Sequence, residues 1–306
     1  MEIRERKQHE ESFKEKLKEK WQNRRELTPK KEEASQVAVA FFFVMFFLSL
    51  LETVFVLLPT IYGGWERWIM IGVTLWMFYT TLVNWHRSYF DTANYVKPEA
   101  KEKYFPDTKE TPQDWKHCFT CQVDTPPRSF HCSYCGKCML KRVHHCFITS
   151  SCIGFHNQKY FIMFLVWSLA SLGYVIYHQL MYLNKTLPVD SAGFILYIPP
   201  VTIHQLIMGY LSFGQAFLVT HVFVAIGAFI TSFFFFMWHL LLAVEGATNY
   251  EAKVRKFPYK GSINANLKSI FGSVLYIPLF LIFPFKLEQQ GDGIQWKLRR
   301  THAKGR

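Results

Sequence analysis

The stretch CFTCQVDTPPRSFHCSYCGKCMLKRVHHCFITSSC, residues 118 to 152, holds all seven cysteines of a 306-residue chain. Cys118-x2-Cys121 is followed by His131-Cys132-x2-Cys135-x2-Cys138, then by His144-His145-Cys146 and by Cys152. A CxxC turn sets two thiolates on one ion without strain, and zinc takes four N or S ligands in a tetrahedron. Two Cys3His sites would use six cysteines and two histidines and leave one thiol over. Spacing does not say which thiol is left, because Cys132, Cys135 and Cys138 can be paired in more than one way.

Whether these thiols bind metal or form disulfides depends on the compartment, and the flanking segments set that. Half of the chain is hydrophobic and 18% is aromatic. Apolar runs of about 20 residues, the length that crosses a bilayer core, recur between charged stretches. We expect an all-α polytopic membrane protein with helical spans at 37–62, 68–84, 160–182 and 216–244, the first two joined by a turn at Gly63 and Gly64. Two other apolar stretches are broken by prolines: 193–211, with Pro199, Pro200, His204 and Gln205, and 270–285, with Pro278 and Pro284. Neither reads as a full span: the first looks like a lumenal or interfacial segment, and the second like a helix packed at the interface or against the bundle.

Lys and Arg number eleven before the first span, eleven from Arg87 to Lys159 and six after Phe285, with almost none in the two short loops. The positive-inside rule then predicts that both termini and the long middle loop are cytosolic. A reducing compartment disfavours a disulfide framework and favours metal or nucleophile chemistry. The net charge of +12 reads as topology and attraction to anionic lipid. No nucleic-acid partner is expected, since a C2H2 finger needs a His-x3–5-His pair that this cluster lacks. No cleavable signal peptide is expected either: residues 1 to 36 are charged and mixed in sign, and the first apolar run begins too late. The expected order is a charged N-terminus (1–36), spans one and two (37–86), a cytosolic cysteine-rich zinc domain (87–159), spans three and four with a lumenal loop (160–244), and a cytosolic C-terminal region with a basic tail (245–306).

The cysteine stretch resembles the cysteine-rich domain of the DHHC family of protein S-acyltransferases, four-span enzymes that move palmitate from acyl-CoA onto protein cysteines. The match runs cysteine for cysteine, and Pro127, Arg128, Gly154, Asn157 and Phe161 also fit. Beyond the loop, TNYE (Thr248 to Glu251) resembles the family's TTxE with Asn249 for the second threonine, and NLKSIFG (Asn266 to Gly272) resembles its C-terminal asparagine segment. Carried over, the resemblance implies one zinc on Cys118, Cys121, His131 and Cys138, and a second on Cys132, Cys135, His145 and Cys152. Cys146 is then the nucleophile that carries the acyl group, and His144 is its base. The implied co-substrate is acyl-CoA, and the implied acceptors are cytosolic or juxtamembrane proteins bearing cysteines. The implied location is an endomembrane, Golgi or ER.

Three positions depart from that pattern. The aspartate that orients the family's catalytic histidine is Val143 here, and the Pro-Trp after the catalytic cysteine is Phe147-Ile148. For a serine nucleophile, loss of the orienting carboxylate can cost about 10⁴ in turnover. Cysteine already supplies a few per cent thiolate near neutrality, and Lys141 and Arg142 would help if they lay close. The expectation is therefore a slowed enzyme, with an inactive zinc-held membrane scaffold or partner subunit as the alternative. Glu251 is the first candidate for a substitute carboxylate, on its place in the motif map alone.

Some smaller features also carry expectations. Glu52, inside the first apolar run, reads as lying near the lumenal end of a tilted span. Asn184-Lys185-Thr186 is a glycosylation sequon in the predicted lumenal loop, too near the membrane for modification to be expected. Thr248 and Glu251 are expected to hold the cysteine-rich region against the helices or to cap a helix. The basic tail, with Lys297, Arg299 and Arg300 beside Trp296, is expected to rest on anionic lipid.

Overall fold

A computed structural model describes residues 28–89, 94–106, 114–187, 198–285 and 289–298. The charged stretch before residue 28, the loop at 188–197, and Arg299 and Arg300 of the basic tail lie outside the described residues. Helix α1 (Thr28–Glu52) continues through a π turn (Thr53–Leu57) into α2 (Leu58–Ile61), and α3 (Gly64–Tyr89) returns. After the short α4 (Ala100–Tyr104) come six strands: β1 (Lys116–Cys118), β2 (Val123–Thr125), β3 (Phe130–Cys132), β4 (Lys137–Met139), β5 (His144–Cys146) and β6 (Ser151–Ile153). Helix α5 (Gln158–Thr186), α6 (Pro199–Ile207), α7 (Phe213–Glu245), α8 (Asn249–Val254), α9 (Ile263–Phe271) and α10 (Ile277–Ile282) complete the described chain.

Among the described residues, four helices are long and apolar enough to cross a membrane: Glu33–Ile61, Gly64–Tyr89, Gln158–Thr186 and Phe213–Glu245. Each outruns its expected span by a few residues, because polar residues at the ends extend the helix past the apolar run. Their outer faces carry exposed Phe41, Phe55, Trp68 and Phe234, the surface a helix presents to lipid rather than to water. The two proline-broken stretches form short helices: α6 covers nine residues, and Ile263–Phe271 and Val274–Ile282 meet at 66°, with Pro278 in the first turn of α10.

The cysteine-rich stretch adds three two-stranded antiparallel ladders, β1-β2, β3-β4 and β5-β6, to the helices of the described residues. It is clamped to the membrane helices from two sides. Asn157 donates to the carbonyls of Ser88 (2.9 Å) and Cys152 (3.0 Å), and Trp85 Nε1 donates to Ile148 O (2.9 Å). On the far side, Arg128 donates to Gly246 O (2.6 Å) and to Glu251 (2.8 Å). Gly246 ends α7 with φ of 62°, and a Cβ there would lie 2.5 Å from Asn266 Oδ1, so no other residue fits without moving the asparagine. Asn266 itself donates to Val244 O at 2.7 Å. The TNYE and asparagine segments thus tie the end of α7 to the ladders. Thr248 and Glu251 also form a capping box on α8.

Several expectations change. Glu52 does not sit at a span end in water; its carboxylate meets His221 of α7 and accepts from Gln179 of α5 at 3.1 Å. A carboxylate in a membrane helix that cannot reach water must find partners inside the bundle. The sequon lies in the last turn of α5, not in a loop. Beside the basic tail, the Trp296 ring covers Arg128 at 4.4 Å and packs edge-on to Phe155, a cation–π contact.

Candidate active site and metal centres

Side chains alternate faces along a strand, and this sorts the ligands. In the β3-β4 ladder His131 stands opposite Cys138, while the next residue, Cys132, points to the other face. In β5-β6, His145 stands opposite Cys152, and His144 and Cys146 flank it on the reverse face. The donor atoms gather accordingly into two groups, Cys118-Cys121-His131-Cys138 and Cys132-Cys135-His145-Cys152, each with all ligand atoms within 4.8 Å of one another. Three sulfurs and one imidazole nitrogen per group is a donor set zinc accepts. In the second group His145 Nδ1 lies 3.3 Å from Cys135 Sγ and 3.7 Å from Cys132 Sγ. Its other nitrogen meets Ser35 Oγ of α1 at 3.3 Å, the kind of outer contact that fixes a ligand's tautomer.

Arg142 donates to Cys152 Sγ (3.5 Å) and Cys132 Sγ (3.7 Å), so its charge serves that group and not Cys146. Lys141 is wholly buried beside Arg128, Glu251 and the Trp296 ring, and burial pushes its ammonium down to about 7. Neither cation is among the groups that act on the Cys146 thiol, so the condition for their help is not met. Both precede β5, and Lys141 lies in a turn with φ of 42°, so the ladder that places Cys146 does not place them.

Cys146 belongs to neither donor group. It is 8% exposed, and burial pushes its thiol up, opposed by hydrogen bonds from the Thr149 side chain and from the Thr149 and Ile148 backbone. His144 packs against Phe161 with ring centroids 5.1 Å apart, and burial holds its imidazole well below the usual range, so it is neutral at pH 7. Neither of its nitrogens has a hydrogen-bond partner among the described residues. Val143 is buried with Trp85, Ile153, Phe161 and Leu242, in a setting that supplies no carboxylate. Glu251 does not replace it, since its carboxylate is held by Arg128 and by the Thr248 N–H.

A cavity of about 690 Å³ opens beneath Cys146 and runs between the membrane helices. Its walls include Phe161 to Val175 on α5 and His221 to Phe235 on α7. Fourteen helical residues correspond to roughly 21 Å at about 1.5 Å per residue. At the far end, Ser49 Oγ meets His221 Nε2 at 3.2 Å, with Glu52 and Gln179 behind. His239 of α7, which the motif reading passed over, stands beside His144 with ring centroids 4.7 Å apart.

Residues 111–256 match the model of the DHHC palmitoyltransferase family. The chain is 32% identical over 190 residues to probable palmitoyltransferase ZDHHC24 of Danio rerio, covering 61% of this chain and 63% of that protein. It is 29% identical over 159 residues to palmitoyltransferase ZDHHC22 of the same species, covering 51% and 56%. The matched part is therefore less than two thirds of either relative's length. With paired Cys3His groups, a thiol outside both, and helices on either side, residues 111–256 are a DHHC palmitoyltransferase domain.

Proposed function

We propose that this chain is a protein S-acyltransferase that carries a long acyl group on Cys146, taken from acyl-CoA and passed to cysteines of membrane-associated proteins. The observation that carries the reading is the position of Cys146: outside both donor groups and at the head of a long apolar cavity. An acyl chain lying in that cavity would present its carbonyl to the thiol and its tail to the bundle interior, which favours binding by burial of apolar surface.

Cys146 Sγ gives its proton to His144 and attacks the carbonyl carbon of the thioester. The carbon–sulfur bond to CoA breaks, and the leaving thiolate takes the proton from His144. A substrate thiol repeats the exchange and returns Cys146 to its free form. The two donor groups would each hold a zinc ion, and the metal would supply structure by tying the three ladders together around β5 and Cys146. With a base that lacks a carboxylate partner and a buried thiol, the first transfer is slow compared with a site that has the carboxylate. The Lys/Arg distribution supports ladders and termini on the cytosolic side, where acyl-CoA is found, and the family resemblance supports an endomembrane location, Golgi or ER.

The test is incubation of the purified chain with labelled palmitoyl-CoA. Hydroxylamine-sensitive label on Cys146 is expected, along with two zinc ions per chain, falling in Cys132→Ala with loss of thermal stability. Fewer than two zinc ions in the unaltered chain would overturn the paired-site arrangement. A second reading, a zinc-held scaffold without activity, draws on the apolar packing of Val143 and the unpartnered His144; absence of label on an intact, zinc-loaded chain would select it.

A further inference from the structure

The pocket around His144 contains a second imidazole. His239 is 1% exposed, and its ring lies 4.7 Å from that of His144 at an interplanar angle of 44°. Phe161 touches both rings, at 5.1 and 4.9 Å, and Phe235 lies 6.5 and 6.4 Å from them. The two histidines share an aromatic box. Both nitrogens of His144 and Nδ1 of His239 lack hydrogen-bond partners among the described residues. Buried polar atoms are normally satisfied, and each exception asks for a reason. Packing does not supply one, since a leucine like the three that follow at 240–242 would fill apolar space without desolvating two nitrogens.

We propose that His239 is the positioning residue for His144, standing where Val143 supplies no carboxylate. A neutral imidazole has one N–H and one bare nitrogen. With the rings 4.7 Å apart, a modest turn lets His144 donate its N–H to the bare nitrogen of His239. That bond sets the tautomer, because which ring nitrogen is protonated follows the bond the other makes. The remaining nitrogen of His144 is then bare and free to take the Cys146 proton. A carboxylate plays this part with a full charge; an imidazole plays it with a dipole, so it orients His144 while stabilising the imidazolium less. The inference rests on the acyltransferase reading with His144 as base.

The test is single-turnover labelling of Cys146 by labelled palmitoyl-CoA in the full chain, with zinc counted in parallel. His239→Leu is expected to slow labelling about tenfold with zinc still at two per chain. His239→Gln, which keeps a polar group able to accept, should recover part of the rate. Val143→Asp combined with His239→Leu should recover it as well, since a carboxylate makes the second imidazole dispensable; a packing role for His239 predicts no such rescue. Should the aspartate variant lose zinc, the His239→Gln arm decides. Labelling of His239→Leu at the unaltered rate overturns the inference, and so does a slow His239→Leu that neither Gln nor Asp relieves. Two other outcomes strike the underlying reading instead and take the inference with it: no label on the unaltered chain, or a His144→Ala rate equal to that of the unaltered chain.

Discussion

Two buried histidines of α7 stand near opposite ends of one cavity and have opposite surroundings. At the floor, His221 is bonded on both sides, to Ser49 through Nε2 and to Glu52 through Nδ1, and Gln179 donates to the same carboxylate. At the head, His239 and its neighbour His144 have three nitrogens without partners among the described residues. The residue type is the same, and burial is nearly equal, at 3% and 1% exposure. The difference lies in what the facing helices offer. At the floor, α1 and α5 contribute a hydroxyl, a carboxylate and an amide, and the cluster joins three spans. At the head, they contribute phenylalanines, and the imidazoles keep their hydrogen-bonding capacity for something else. Satisfied polar groups inside a membrane protein hold helices together; unsatisfied ones beside a thiol are available for chemistry.

The most severe way to break this contrast is at the thiol itself. Cys146→Ser should abolish hydroxylamine-sensitive label while leaving zinc at two per chain, read by mass spectrometry and metal analysis; loss of zinc would make Cys146 a ligand. Next in size is Val143→Asp, which supplies the head with what the floor already has. Self-acylation should rise between severalfold and about 10²-fold, and the gain should vanish when His144→Ala is added. The thermal midpoint should fall in the same variant, because the new carboxylate enters the apolar cluster of Trp85, Ile153 and Phe161.

A smaller effect is expected at the floor. Glu52→Leu removes the carboxylate shared by His221 and Gln179, leaving Gln179 Nε2 at 3.1 Å as the remaining partner of His221 Nδ1, and should cost about 1–3 kcal/mol of stability, seen as a lower melting temperature, with the labelling rate per folded molecule changed far less than by any substitution at the head. A larger loss of rate than of stability would mean the floor takes part in the reaction. The smallest effect concerns pH. An imidazole at its usual value of about 6.5 would be mostly protonated at pH 6, and a base of that kind would lose roughly fourfold in rate from pH 7.5 to 6. Burial lowers His144 and raises Cys146, so both keep their neutral working forms across that window. The labelling rate should therefore change less than twofold, falling only at more acid pH when His144 finally protonates.

Much of this molecule was legible in its residues because it follows from local composition. Runs of about 20 apolar residues can do little in a bilayer except form helices, so the four spans emerged within a few residues of their ends. The ligand types and the count that leaves one thiol over came from spacing, and the family resemblance named Cys146. Tertiary structure decided what depends on which faces meet. Strand alternation divided His131 from Cys132 and His144 from His145, a period-two effect that spacing through turns does not reveal. Packing gave Arg142 and Lys141 other partners and tied up Glu251. It also brought Glu52 inward and set His239 beside His144, contacts between α1 and α7 and between β5 and α7. Hydropathy marks where a helix crosses the membrane; which side of it faces the thiol is settled only when the helices pack.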